Sequence, residues 1–329
     1  MGLLVSIFLG FASALFFAYV LYWLDRYEKE PLLLLGGSFL WGAVVAAGSA
    51  FIINTVLSLG IYLFTGSEMA AEFTSGSLVA PLIEETLKGL GVLGVFVVFR
   101  REFDSVLDGI IYAGGVALGF AATENAYYIY NFGFKDNGWG GLLFLSFIRI
   151  IMVGWQHPFY TAFFGIGLAV ARLNRNWFVK IVAPILGLGI AMLAHGFHNT
   201  LASFISGYAG LAVSVLFDWS GWLIMLGIII WATWREQQNL RKHLWEEVTA
   251  GRITQAQYRT AISAWRQTGA RFIALFNGHF RRTARFYQVC GRLANKKQQY
   301  VTLGDEGGNL AIIQNLRGEL ARLTPYVQA

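Results

Sequence analysis

The chain has 329 residues, of which 56% are hydrophobic and only 13% charged, with a mean hydropathy of +0.53 and a net charge of +6. A soluble domain carries about 25% charged residues, so this composition excludes an ordinary soluble globule. Five prolines exclude a disordered linker, and a single cysteine, Cys290, excludes an intrachain disulfide or a cysteine metal cage.

Seven apolar segments follow, each near or above the ~20 residues that a bilayer core requires. They run over about 2–24, 33–63, 79–99, 107–131, 141–171, 178–206 and 210–234. The first carries no charge and no small-residue cleavage site, so it is expected to be a retained span rather than a signal peptide. The second and fifth are long enough to hide a break, and Gly154 with Pro158 predicts a kink or split in the fifth. Glycine, at 38 residues, suits helices that pack closely in lipid.

The loops alternate in charge. Arg26 and Lys29 lie in the first, Arg100 and Arg101 in the third, and Arg172, Arg175 and Lys180 in the fifth. The second and sixth hold no Lys or Arg, and the fourth only Lys135. By the positive-inside rule the N-terminus is outside and the tail inside. The expected fold is therefore all-α, a polytopic bundle at 1–234 with a basic, helical cytoplasmic tail at 235–329. From Arg235 onward there are 15 Lys+Arg against 6 Asp+Glu; before it, 10 against 13. Tyr258, Ile262, Trp265, Phe272 and Phe276 recur at helical intervals in the tail, with arginines between them. Such a tail suits an anionic lipid surface or a cytoplasmic regulator; nucleic acid is not expected.

Ionisable residues inside spans cost about 2.5–3.5 kcal/mol each on insertion scales, so each asks for a reason. The set is Glu84, Glu85, Lys88, Glu124, Arg149, His157, His195 and His198, with Asp108 and Asp218 nearer span ends. Glu84 and Lys88 stand at i,i+4 and can pair, while Glu85 is turned about 100° away, so one carboxylate can be held and the other can face a cavity. Glu124 has no basic neighbour in sequence and needs a partner on another helix or a metal. His195 and Asn199 share a helix face at i,i+4. With the topology above, these groups fall in one layer in the outer half of the bilayer, which implies a hydrated polar site between helices.

Three Glu and two His fit the activation of water. In a metal version, side chains among Glu85, Glu124, His157 and His195 hold Zn²⁺ and a remaining carboxylate is the base. In a metal-free version, a carboxylate pair activates water while His195 and Asn199 donate to the oxyanion. The chain lacks His-Glu-x-x-His and any Gly-x-Gly-Asp element, which excludes a standard zincin and disfavours an aspartyl site.

The motifs Glu84-Glu85-x-x-Lys88, Phe120-x-x-x-Glu124, His157 followed by Gly165, and His195-x-x-x-Asn199 resemble those of the PrsW family of intramembrane proteases. The stretch Asp25-Arg26-Tyr27-Glu28-Lys29-Glu30-Pro31 is similar to that family as well, and the likeness covers roughly 15–205. Related type II CAAX prenyl endopeptidases have Phe-x-x-x-His where this chain has Phe120-x-x-x-Glu124. The resemblance implies that Glu84, Glu85 and Glu124 activate water, that His195 and Asn199 bind the oxyanion, and that His157 is a further ligand or donor. It gives no role to His198, whose position is aromatic elsewhere in the family. It also implies a multi-pass plasma-membrane protein that makes a site-1 cut in a single-span, anti-sigma-factor-like substrate. The alternatives at this point are a proton-coupled transporter or channel using the same side chains, a CAAX-type prenyl-protein endopeptidase, and an inactive scaffold.

Overall fold

A computed structural model describes residues 1–204 and 207–327, and no strand occurs among them. Helix α1 (Gly2–Leu24) is followed by α2 (Leu32–Leu40), which passes through a π-helical turn at Trp41–Ala46 into α3 (Ala47–Thr65). In the same way α4 (Glu68–Thr74) passes through Ser75–Val79 into α5 (Ala80–Val98). Next come α6 (Val106–Tyr128), a π-helical stretch at Ile129–Lys135, α7 (Asp136–Ser146), a π-helical turn at Phe147–Met152, and α8 (Gln156–Leu173). Then follow α9 (Trp177–Phe204), α10 (Gly207–Thr249), α11 (Gln255–Ala261), α12 (Ala264–Phe276), α13 (Phe280–Leu303) and α14 (Asn309–Leu323).

Five helices are long and apolar enough to cross a membrane: Gly2–Leu24, Leu32–Thr65, Val106–Leu173, Trp177–Ser203 and Ala209–Thr249. The chain is an all-α membrane protein. The third predicted segment begins earlier than expected, because the helix of α5 extends back to Glu68 through Ser75–Val79. The last two residues of the sixth segment, 205–206, lie outside the described residues. The apolar tract from Val106 to Leu173 is interrupted twice. Gly138 takes φ 61° and ψ −148°, a conformation closed to other residues, and folds the chain back on itself. Val153 leaves the helical region before α8 restarts at Gln156, so the fifth segment is split as Gly154 and Pro158 suggested. Pro158 falls in the first turn of α8, where its missing N–H costs nothing.

Helix α6 is the axis of the bundle. Ser105 and Asp108 start it with a capping box, each side chain accepting from the other's backbone N–H. Every residue from Val106 to Ala122 is buried, against α1, α2, α5 and α8. Glycine makes this possible at two crossings. A Cβ on Gly119 would lie 1.9 Å from Phe39 O, and one on Gly42 1.9 Å from Val116 O. At the other crossing, a Cβ on Gly165 would lie 2.0 Å from Gly109 O. Backbones thus meet directly, the device by which helices gain packing in lipid.

The tail folds onto one end of the bundle. Helix α10 runs through position 234 without a break, and Tyr27, from the loop after α1, is buried in the tail's core with Leu240, Phe286 and Leu293. Cys290 is buried in the same core, and burial pushes its thiol up, as befits a packing residue. Lys296 Nζ donates to Arg101 O and to Asp104 Oδ1, both at 2.7 Å. Asn295 donates to Glu28 at 2.9 Å, and Arg172 to Glu306 at 3.1 Å. The tail's basic side chains are therefore partly consumed by the loops next to it.

Two predictions follow from this packing. Gly165→Val should cost about 3 kcal/mol or more, since the clash is with backbone and cannot be relieved by a rotamer. Gly94→Ala, where nothing lies within 4 Å, should leave stability unchanged or raise it. Thermal unfolding of the two variants in detergent checks this.

The second concerns Asp25, whose carboxyl burial pushes up to about 7 against the pull of Lys29. The folded protein thus keeps a proton that the unfolded chain releases near pH 4. The stability this contributes is complete below about pH 4 and is lost as pH rises toward 7. Asp25→Asn keeps an acceptor for the Glu30 N–H, 3.0 Å away. It should therefore raise Tm most at about pH 8 and least at about pH 4. A shift that does not depend on pH would contradict the assignment.

Candidate active site

Four helices bring the polar residues of the bundle together. On α5 one helical turn carries Glu84, Glu85 and Lys88. Glu124 projects from α6, His157 from the first turn of α8, and His195 from α9. Counted along each helix at about 1.5 Å per residue, the carboxylates and imidazoles lie about 20 to 27 Å from the end that faces the tail, and Lys88, whose long side chain reaches back to them, about 15 Å. The single layer expected from sequence is therefore present.

Lys88 stands at the centre with no exposed surface. Its Nζ lies 2.7 Å from Glu85 Oε1, 3.7 Å from Glu84 Oε2 and 3.2 Å from His157 Nδ1. It also sits 4.0 Å from the centroid of Phe120, a cation–π contact that helps a charge remain in a dry interior. Glu85 is saturated: besides Lys88, it accepts from Thr161 Oγ1 at 2.8 Å and faces His195 Nδ1 at 3.0 Å. Sequence spacing leaves open which carboxylate is held and which faces a cavity. The structure pairs Lys88 with both, closely with Glu85 and at 3.7 Å with Glu84.

Glu84 instead borders a cavity of ≈ 640 Å³ between α3, α5 and α6, which Glu124, Phe51, Tyr127, Tyr128 and Phe132 also line. Asn54 Nδ2 donates to Glu84 Oε1 at 3.3 Å, while Glu84 Oε2 is buried with no hydrogen-bond partner. Glu124 Oε2 receives Arg149 Nη2 at 2.5 Å and meets His157 Nε2 at 2.8 Å. Arg149 also donates from Nε to Asn125 Oδ1 at 2.7 Å and lies 4.2 Å from the centroid of Tyr128.

Glu84, His157 and His195 each offer a donor atom, and these atoms lie within 4.8 Å of one another. The ligand set expected from sequence, Glu85, Glu124, His157 and His195, is thus regrouped. Glu84 joins the two histidines, while Glu85 and Glu124 stand behind them as their hydrogen-bond partners. Asn199 is not in this cluster: its Nδ2 donates to Gly76 O at 2.8 Å, tying α9 to the cavity wall. His198 lies 3.0 Å from Asp218 without hydrogen-bond alignment, and Asp218 accepts from Tyr160 at 2.7 Å. The Tyr160 ring stacks on His195 at 5.0 Å, so this second group supports the first.

Sequence reasoning gave no role to Arg149, Asn54, Thr161 or Tyr160. Arg149 and Asn54 carried a usable signal, a lone charge and a lone amide in apolar segments. Thr161 and Tyr160 carried none, since both residue types are ordinary in membrane helices.

The arrangement predicts strong coupling. Lys88→Met leaves Glu85 in a dry site without its cation and should cost about 3–5 kcal/mol. Adding Glu85→Gln should recover much of that loss, and a double-mutant cycle of thermal stability measures the recovery.

Comparisons with known proteins place the chain in a family. The model of the PrsW family intramembrane metalloprotease matches residues 30–232. The Protease PrsW of Bacillus subtilis is 27% identical over 214 residues, covering 64% of this chain and 90% of that protein. The Protease PrsW of Geobacillus kaustophilus is 36% identical over 105 residues, or 32% of this chain and 43% of that protein. That of Clostridioides difficile is 35% identical over 107 residues, with the same shares. No solved structure matches. With the family model covering well over half of the sequence and its motifs gathered around one buried lysine, the chain belongs to the PrsW family of intramembrane metalloproteases.

Proposed function

We propose that this protein hydrolyses a peptide bond in a single-span membrane protein of the anti-sigma-factor-like kind, whose transmembrane segment enters the aromatic-lined cavity. The observation that carries the reading is that Glu84 and Glu124, the two carboxylates lining that cavity, stand directly before His157 and His195. A transporter would need a continuous polar path, whereas these groups gather at one depth. A CAAX-type site is disfavoured by Glu124, which stands where those enzymes have a histidine.

The residues fit a metal. Two imidazoles and a carboxylate are the donor chemistry of a hydrolytic zinc site, and Glu84 Oε2 is buried without a partner. Glu84 Oε2 and His195 Nε2 would hold the ion together with His157 Nδ1, whose 3.2 Å contact with Lys88 the ion would replace, and when bound it would supply a Lewis acid and a water of lowered pKa. Around it the chain does the positioning. Glu85, facing His195 Nδ1, fixes that ring and turns Nε2 toward Glu84, 3.9 Å away. Glu124 holds His157 through Oε2, to which Arg149 also donates, leaving Oε1 to take a proton from the attacking water. Asn199 ties the cavity wall through one amide N–H to Gly76 O, and its second N–H is available to donate to the oxyanion.

The tail, with 15 Lys+Arg against 6 Asp+Glu, contacts the loops at 25–31 and 99–105 and Arg172, so that positive charge gathers at one end. On the positive-inside rule that end is cytoplasmic in the plasma membrane, with seven crossings, the N-terminus outside, and the site in the outer half. A periplasmic or extracellular-side cut follows. The division into a protease unit at 1–234 and a tail at 235–329 belongs to this proposal.

The test is cleavage of a tagged single-span substrate in reconstituted membranes. Glu84→Ala, His157→Ala and His195→Ala should each lose about 10²–10⁴-fold in rate. Metal content should fall in the same variants, and chelation should silence the wild type. Full cleavage by all three, or activity that survives complete metal removal, would overturn the proposal.

A further inference from the structure

Helix α12 is amphipathic with its faces reversed relative to the tail's core. Trp265, Phe272 and Phe276 fall at i, i+7 and i+11, on one side of the helix. They are 76%, 62% and 74% exposed, while Gln267 and Ala274 on the opposite side are buried against the tail. Ile273, Leu275 and Phe280 widen the outward apolar surface. An apolar patch of this kind facing water is costly, and marks a surface that something covers.

Two observations identify the cover. The patch is continuous with the membrane boundary: the Arg26 guanidinium lies 3.5 Å over Trp23, at the end of α1, and 5.5 Å from the Trp265 ring. Half-exposed Trp231 and Trp234 on α10 lie near the same level, since Trp234 and Trp23 line one shallow cavity with Arg26. Tryptophan at this depth is the signature of the headgroup region. The second observation is charge. Between residues 248 and 304 there are ten Lys+Arg and no Asp or Glu, and Arg266 and Arg281 flank the patch exposed. Those arginines are free for phosphate, whereas Arg292, Lys296 and Lys297 are consumed inside the protein.

We infer that α12 lies in the bilayer interface on the tail's side, its Trp265–Phe272–Phe276 face among the upper acyl chains and Arg266 and Arg281 on lipid phosphates. An apolar stripe bordered by arginine, on a helix parallel to the surface, is the architecture of an interfacial anchor. The basic tail thus acts on lipid through one helix rather than through its charge as a whole. The inference does not depend on the catalytic reading, and its test reads lipid contact instead of cleavage.

The experiment uses the full chain in phosphatidylcholine–phosphatidylglycerol nanodiscs. An environment-sensitive fluorophore is placed at Phe272→Cys or Phe276→Cys; native Cys290 is buried and does not compete for label. Nitroxide carried just below the lipid headgroups should quench either probe several-fold more than aqueous iodide does. The difference should shrink when Arg266→Glu and Arg281→Glu are added. Iodide quenching without lipid quenching would show the face in water and overturn the inference. Self-quenching between labels in the absence of lipid quenching would assign the face to a second copy, with the same consequence. A label at Gln288, which donates to Lys29 O on the tail's inner side, serves as a reference for lipid-independent change.

Discussion

A lysine ammonium with no exposed surface, at the depth of a bilayer, is the constraint around which the rest of this protein is arranged. Lys88 cannot be hydrated there, so its charge has to be met by protein groups in a small volume. Glu85 and Glu84 come from its own helix, His157 from α8 and the Phe120 ring from α6. Glu85 then reaches further, to Thr161 on α8 and His195 on α9. One cation thereby specifies how four helices are rotated about their axes. Rotation of any of them by a turn fraction would strand a charge in hydrocarbon, a far larger penalty than a packing defect.

That rotation has to be compatible with close backbone approach, and the glycines of α6 supply it. At Gly119 and Gly109 the carbonyls of neighbouring helices occupy the space that a side chain would take. Glu124, five residues beyond Gly119, is carried to His157, whose other ring nitrogen faces Lys88. The break at 153–155 completes the arrangement. An unbroken helix would continue the direction set by α7, whereas the restart at Gln156 places His157 in a first turn, pointing inward. Irregular backbone at this depth is tolerated where it is buried in protein, and here it is the means of aiming a histidine.

These relations explain what could be read from the residues alone. Hydropathy reveals helices because lipid leaves few other options, and a charge within a span advertises itself by its cost. So Glu84, Glu85, Glu124, His157 and His195 were legible as one layer. Which carboxylate meets Lys88 was not, since i,i+3 and i,i+4 are equivalent until neighbouring helices decide which side is interior. Arg149 was visible as an isolated charge, but its partner lies 25 residues earlier across a turn made by Gly138, and spacing carries no such information. Asn199 shows another limit: its motif position pointed to the oxyanion, and nothing in the spacing announced that one of its amide N–H groups binds a backbone carbonyl of another segment. The tail was legible as helical and basic, but Tyr27 in its core joins residues more than two hundred positions apart.

The charge balance of the site bears on what it is for. Three carboxylates, Glu84, Glu85 and Glu124, face two basic side chains, Lys88 and Arg149. Glu85 is met by Lys88 and Glu124 by Arg149, so the surplus falls on Glu84. Among these three carboxylates its Oε2 is the buried oxygen left without a hydrogen bond, and the two imidazoles share its donor cluster. A purely structural network would have used an amide at position 84 and closed its own balance. A surplus carboxylate at the edge of a cavity, next to two imidazoles, is suited to a positive species from outside the chain, whether a proton or a metal. That asymmetry separates a working centre from a salt-bridge network that merely holds helices together.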